Sequence, residues 1–194
     1  MRLERLSGHG TLAHVGALTQ LYRDAFREPP WNEDERAADA FAGRLASDVH
    51  RPGFTAVLAH VDGEPAGFGT AWRTPDPFPT GRAYDRVRAQ LGDDVRTRLV
   101  GALEVDELAV GPFARGRGLA ERILALLCEG ADARWLLTDP RAAGAIRLYR
   151  RLGWTCLTPS TAGVVVFATG GPPGRADGAG GDQARNVWTP RSDA

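Results

Sequence analysis

The chain has 194 residues, the length of one ordinary domain, and is long enough to bury a core without disulfides or metal staples. Its formal net charge is zero and all 24 basic residues are arginine, so no global field draws it to nucleic acid or to an anionic membrane. Two cysteines, Cys128 and Cys156, and four scattered histidines (His9, His14, His50, His60) fit no zinc or redox spacing, which predicts no metal.

Met1 to Gly8 carries charges where a secretion signal needs an apolar core, and no apolar run approaches the ~18 residues of a membrane span. A cytoplasmic protein without membrane or nucleic-acid partners is the expectation. Met1 to Leu6 suits a short edge strand. Leu12 to Phe26 places Leu12, Val15, Leu18, Leu21, Tyr22 and Phe26 at helical spacing, and Glu28-Pro29-Pro30-Trp31 stops that helix. Asn32 followed by Glu35 reads as an N-cap with its capping-box acid. A second helix then runs to about Val49, with Ala38, Phe41 and Leu45 on one face.

Phe54 to His60 and Pro65 to Trp72 are predicted strands joined by a turn at Asp62-Gly63. Thr74 to Gly81 is a proline-rich loop, followed by short helical pieces at Tyr84–Leu91 and Val95–Leu103. Leu103 to Val110 reads as a strand, broken at Gly111-Pro112 because proline has no N–H for a ladder. Arg115-Gly116-Arg117-Gly118 then leads into a helix with Leu119, Ala120, Ile123, Leu124, Leu126 and Leu127 in phase.

The physics of that turn is anion binding. A helix start leaves about four N–H groups without intrahelical partners, and the macrodipole adds roughly half a positive charge. Gly116 and Gly118 let the backbone bend and approach a ligand closely, and Arg115 and Arg117 add forked donors. A diphosphate is the natural guest. The Walker pattern is excluded because the chain has no lysine, and the dinucleotide pattern because Glu121 stands at its third glycine.

What remains, Arg115-x-x-Gly118-x-Ala120 after Val110-Gly111-Pro112, resembles the acetyl-coenzyme A signature of the GNAT superfamily of N-acetyltransferases. Two helices followed by a hairpin match the front half of that fold. The expected architecture is therefore α/β: a single GNAT-like domain over residues 1–169, with a mixed, mostly antiparallel twisted sheet flanked by helices. Beyond the motif, Ala133–Leu137 reads as a strand. Asp139 and Pro140 suit the cap and first position of a helix carrying Ala142, Ala145, Ile146, Tyr149 and Leu152, and Gly153 stops it. Trp154–Leu157 and Gly163–Ala168 suit a closing hairpin. Residues 170–194 form a low-complexity tail, with Asn186-Val187-Trp188 as a segment able to dock back.

The resemblance implies a reaction and a site. Acetyl would pass from acetyl-coenzyme A, as co-substrate, directly to a primary amine of a small molecule or peptide, and no nucleophile-plus-histidine arrangement suggests a covalent detour. Strand backbone at Leu108, Ala109 and Val110 would hold the pantetheine. Amides of Gly116, Gly118, Leu119 and Ala120, with Arg115 and Arg117 alongside, would hold the diphosphate. Glu107, on the central strand, is the expected base, with Asp106 on the opposite face by the strand's period of two. Tyr149, in Ala-x-x-x-Tyr-x-x-x-Gly-Trp from Ala145 to Trp154, is the expected acid at the sulfur. The family's asparagine three residues before that alanine is replaced by Ala142, so one cofactor contact is made differently or lost. Glu33-Asp34-Glu35, between the first two helices, has two readings: a lure for a cationic amine, or acids favoured at a helix start. A homodimer stays open. A silent coenzyme A-binding module of the same fold, and a nucleotide-binding domain, are the alternatives.

Overall fold

Asp62 and Gly63 both take positive φ (53° and 89°), the backbone a tight two-residue hairpin requires. They join strands β2 (Thr55–Val61) and β3 (Glu64–Arg73) in the computed structural model, which describes residues 1–81, 83–159 and 163–171. Strand β1 (Arg2–Leu6) adds to β2, and β4 (Leu103–Val110) adds to β3, each antiparallel. Strand β5 (Ala133–Thr138) pairs parallel to β4, and β7 (Val165–Gly170) and β6 (Thr155–Cys156) complete the order β1-β2-β3-β4-β5-β7-β6. The sheet is mixed, mostly antiparallel and open, as the sequence implied.

Helices cover both faces. Helix α6 (Leu119–Leu127) and α7 (Ala143–Arg151) bury one core with Val57, Ala59, Val105, Leu136 and Phe167. On the opposite face α2 (Val15–Phe26) and α3 (Glu35–Asp48) pack on Ala56, Leu58, Phe68 and Ala109. Helices α4 (Tyr84–Leu91) and α5 (Asp94–Arg98) cover Trp135 and Val166 on that same side. Alternation along β7 shows the two-sided burial directly: Val165 and Phe167 face α6 and α7, Val166 faces α4 and α5.

Four local expectations give way. The first helix is two: α1 (Gly8–Ala13) starts early because Ser7 Oγ accepts from Gly10 N at 3.2 Å, and His14, at φ −107°, separates it from α2. Asn32 does not cap α3; it sits in the left-handed region at φ 50°, which asparagine tolerates, and Asp34 Oδ1 takes the cap from Ala37 N at 3.1 Å. Asp139 and Pro140 do not start α7. The Asp139 carboxylate is held by Arg141, through its N–H at 2.7 Å and its guanidinium at 2.8 and 3.0 Å, so the helix begins only at Ala143. Gly170, expected as the first residue of the tail, still belongs to β7; the rest of the expected tail beyond residue 171, with Asn186-Val187-Trp188, lies outside the described residues.

Two features set the site. Gly67 and Gly69 of β3 let α6 lie close on the sheet, since a Cβ at Gly67 would sit 2.8 Å from Ala109 O and 3.1 Å from Ile123 Cδ1. The β4–β5 ladder runs only from Leu103↔Arg134 to Val105↔Leu136, and β4 continues five residues past it. The two halves of the sheet separate there into a wedge.

Candidate active site

The wedge is a cleft of about 490 Å³, floored by β4 from Glu104 to Val110 and walled by α2, the α2–α3 loop, β5 and α7. Its chemistry is organised by a bulge. Thr70 pairs with Glu107 but Ala71 pairs with Val105, leaving Asp106 as the extra residue. Val105 and Leu108 therefore share the α6 face although they are three apart, and Asp106 and Glu107 both line the cleft. The expectation that Asp106 points away from Glu107 fails for this reason: period-two alternation holds only for an unbroken ladder.

Glu107 is nearly buried, with 13% of its side chain exposed, and Arg44 Nη2 of α3 donates to its Oε1 at 3.4 Å. Arg44 went unnoticed in the sequence. Its signal was there, since it stands three residues after Phe41 and beside Leu45, next to the buried stripe of α3. Tyr22 lies beside Glu107 and Glu33, its ring stacked on Phe41 at 4.5 Å and tilted against Phe26 at 4.6 Å. Burial foremost, then the Glu107 charge and the Glu33 carboxylate, push its hydroxyl above the ordinary tyrosine range.

Tyr149 lies in the cleft wall on α7, buried against Phe167 (centroids 5.4 Å) and Trp154 (6.1 Å). Burial, and secondarily the charge of Glu107, also raise its hydroxyl above the ordinary range. The hydroxyl therefore stays protonated at neutral pH and is able to donate a hydrogen bond. Ala142 is the N-cap of α7 and, having no polar side chain, makes no cap hydrogen bond.

At the turn after β4, Gly116 and Gly118 are left-handed at φ 76° and 70°, and a Cβ at either would meet nothing within 4 Å. Gly118 is the N-cap of α6 and no side chain caps it. The first-turn amides of Leu119, Ala120 and Glu121 thus open outward beside the cleft, which Ala120 lines. Geometry and donor set fit a diphosphate, with no described residue within 4 Å of a Cβ built at either glycine. The two arginines divide. Arg117 is exposed and makes no hydrogen bond or ion pair among the described residues. Arg115 turns back, donating to Val110 O (3.4 Å), Ala25 O (3.3 Å) and Glu28 (3.2 Å), and so ties the end of α2 to the end of β4.

Deeper along β4, Tyr84 Oη donates to Glu104 Oε1 at 2.8 Å, both residues buried and both lining the cleft. This pair, too, was not read from the sequence, where Glu104 passed as a strand residue. Among the described residues no group of His, Cys, Asp or Glu could hold a metal ion, and no helix is long and apolar enough to cross a membrane.

An open mixed sheet that parts between two parallel strands, with an uncapped helix start at the parting, defines an α/β domain with an open cleft beside a helix N-terminus. The sequence model of the Acetyltransferase (GNAT) family matches residues 16–154, and the chain belongs to that family. No curated protein matches it. Among solved structures it resembles YncA of Salmonella typhimurium with acetyl-CoA (17% identity, 95% of this chain and 100% of that one, TM-score 0.58). It also resembles the PaiA N-acetyltransferase of Thermoplasma acidophilum with coenzyme A (11% identity, 88% and 99%, TM-score 0.59). A third is an aminoglycoside 6'-acetyltransferase type Ii (18% identity, 88% and 97%, TM-score 0.58). At these identities the likeness establishes the fold.

Proposed function

We propose that this protein transfers acetyl from acetyl-coenzyme A to a primary amine by direct attack in a ternary complex. The observation that carries the reading is the open, uncapped start of α6 at the mouth of the β4–β5 wedge. Amides of Gly116, Gly118, Leu119 and Ala120 hold the diphosphate, with Arg117 alongside. The pantetheine runs into the wedge along β4 at Leu108, Ala109 and Val110, where β5 no longer pairs. Structures of the same fold that contain acetyl-CoA and coenzyme A support acetyl-CoA as the co-substrate.

The acceptor enters from the side of α2 and α3. Glu107 takes the proton that the attacking ammonium must lose, directly or through a water, and Arg44 fixes its carboxylate. Tyr149 keeps its proton at neutral pH and gives a hydrogen bond to the sulfur as the thiolate leaves. Arg115 is a positioning residue: its guanidinium braces the acceptor loop against β4 and leaves the phosphates to the backbone.

Coenzyme A thiol release, followed with a panel of amines and mass detection of products, tests this. Glu107→Gln and Tyr149→Phe should each lower kcat by roughly 10²-fold or more while coenzyme A binding persists. A silent coenzyme A-binding module would bind the cofactor and show no release that either substitution changes, and that result would remove the transferase reading.

A further inference from the structure

Strand β3 buries residues alternately on its two faces. Ala71 belongs to the core under α6, so Thr70 before it points to the opposite face, between Phe68 and Trp72. Helix α3 and the turn after it cover that row. Phe41 packs on Phe68, with centroids 5.4 Å apart, and the Arg51 guanidinium lies 4.6 Å over the Trp72 ring. Arg44, between Phe41 and Arg51 in sequence, therefore sits in the layer of Thr70. Glu107 is the cross-strand partner of Thr70, and Arg44 Nη2 donates to its Oε1 at 3.4 Å, which brings all three residues together.

Two polar atoms of this layer are unsatisfied. Thr70 is 1% exposed, and its Oγ1 has no hydrogen-bond partner among the described residues; neither has the buried Nε of Arg44. A buried hydroxyl and a buried guanidinium N–H are each unfavourable without a partner. Directly opposed residues of an antiparallel pair have Cβ atoms about 5 Å apart, which leaves the Thr70 hydroxyl and the Glu107 carboxylate within reach of one bridging water. A buried water makes about three hydrogen bonds to such groups. Here it accepts from Arg44 Nε and Thr70 Oγ1 and donates to Glu107. Glu107 lines the cleft, whereas Thr70 and Arg44 stand behind it. We propose that Thr70 is a positioning residue for the base: with Arg44 it holds one buried water against the Glu107 carboxylate, on the side away from the cleft, and the hydrogen bond from that water favours the ionised, proton-accepting form. The proposal rests on the transfer reading for what Glu107 does, and adds the residue that keeps it ready.

The first test needs no variant. Nuclear Overhauser transfer from water to the Thr70 methyl, in the full chain, should reveal a long-lived water there, and its absence overturns the proposal. The second follows the Glu107 carboxyl by NMR in protein with isotope-labelled glutamate, its signal assigned by its loss in Glu107→Gln. Thr70→Val removes the hydroxyl and should raise the Glu107 titration midpoint by roughly one pH unit, the worth of one hydrogen bond to a charged group. Thr70→Ser keeps the hydroxyl and should leave the midpoint in place. The other titratable or charged groups around Glu107 are Tyr22 with Glu33 beside it, Arg44, Asp106 and Tyr149, and every variant of Thr70 retains them. A merely structural threonine would alter the melting temperature and not the midpoint. An unmoved midpoint in Thr70→Val, or an equal move in Thr70→Ser, overturns the proposal. Thiol release with the amine panel is read on the same proteins, and the acid limb of kcat should move with the midpoint while KM for the amine holds. No release from the wild type with any amine would sink the transfer and leave the water site to the two NMR measurements. Release whose acid limb ignores Thr70→Val would do the reverse.

Discussion

Each residue of the site is defined by what its surroundings do to it. Tyr149 and Tyr22 are both buried near the Glu107 carboxylate, and both hydroxyls are held above the ordinary tyrosine value of 10.0. A raised folded-state value favours the protonated form, so above that ordinary value the native chain keeps protons that the unfolded chain loses. The stability these hydroxyls contribute is fully present below about pH 10 and is lost as pH rises beyond it toward their folded values. Tyrosinate absorbance near 295 nm checks this: Tyr22 and Tyr149 should ionise only together with alkaline unfolding. Ionisation of both near pH 10 with the fold intact would contradict their burial. The residue scale is also where the sequence was least legible. Glu107 and Tyr149 were visible because they sit in recognisable local patterns. Arg44, 63 positions from Glu107 along the chain, was not, because only the packing of α3 on the sheet brings the two together. Glu33 was legible as an acid but not as different from its neighbours, since capping and ion pairing claim Asp34 and Glu35 only once the loop is built.

At the scale of elements, the site depends on where ladders stop. The bulge at Asp106 turns two carboxylates to the cleft, and the end of β4–β5 pairing at Val105↔Leu136 opens the wedge. Neither has a clear mark in the sequence, because a bulge on a mostly apolar strand leaves the composition unchanged and only shifts its phase. The strands, the Asp62-Gly63 turn and the helix after Gly118 were readable because their turn chemistry and periodicity are local. Close seating of α6 is another element-level property, made possible by Gly67 and Gly69 under Ile123 and Leu127. Gly67→Ala would press a methyl into Ala109 O and Ile123, at a cost of about 1–3 kcal/mol by overpacking. Because the proposed phosphate site is the start of α6, coenzyme A affinity should fall along with the denaturation midpoint. A variant that melts and binds as the wild type does would show that α6 is not seated through these contacts.

For the molecule as a whole, the sheet is one frame with two cores on one side and a third on the other, and the functional cleft lies where its halves part. Beside the cleft, the start of α6 offers backbone and glycine, while the cleft's other end is lined by side chains from α2 and the α2–α3 loop, with Arg44 of α3 reaching Glu107. This division explains why the family was legible at Arg115 to Ala120 and the acceptor class was not: one end is a short contiguous motif, the other a convergence of segments distant in sequence. The measurement that bears most directly on the account is calorimetric titration of the full chain with coenzyme A and, separately, with pantetheine, which lacks the diphosphate. Coenzyme A should bind roughly a hundredfold tighter or more, as several amide hydrogen bonds to a charged group would give. Equal affinity for pantetheine would mean that the open start of α6 does not hold the phosphates, and would contradict the account at its foundation.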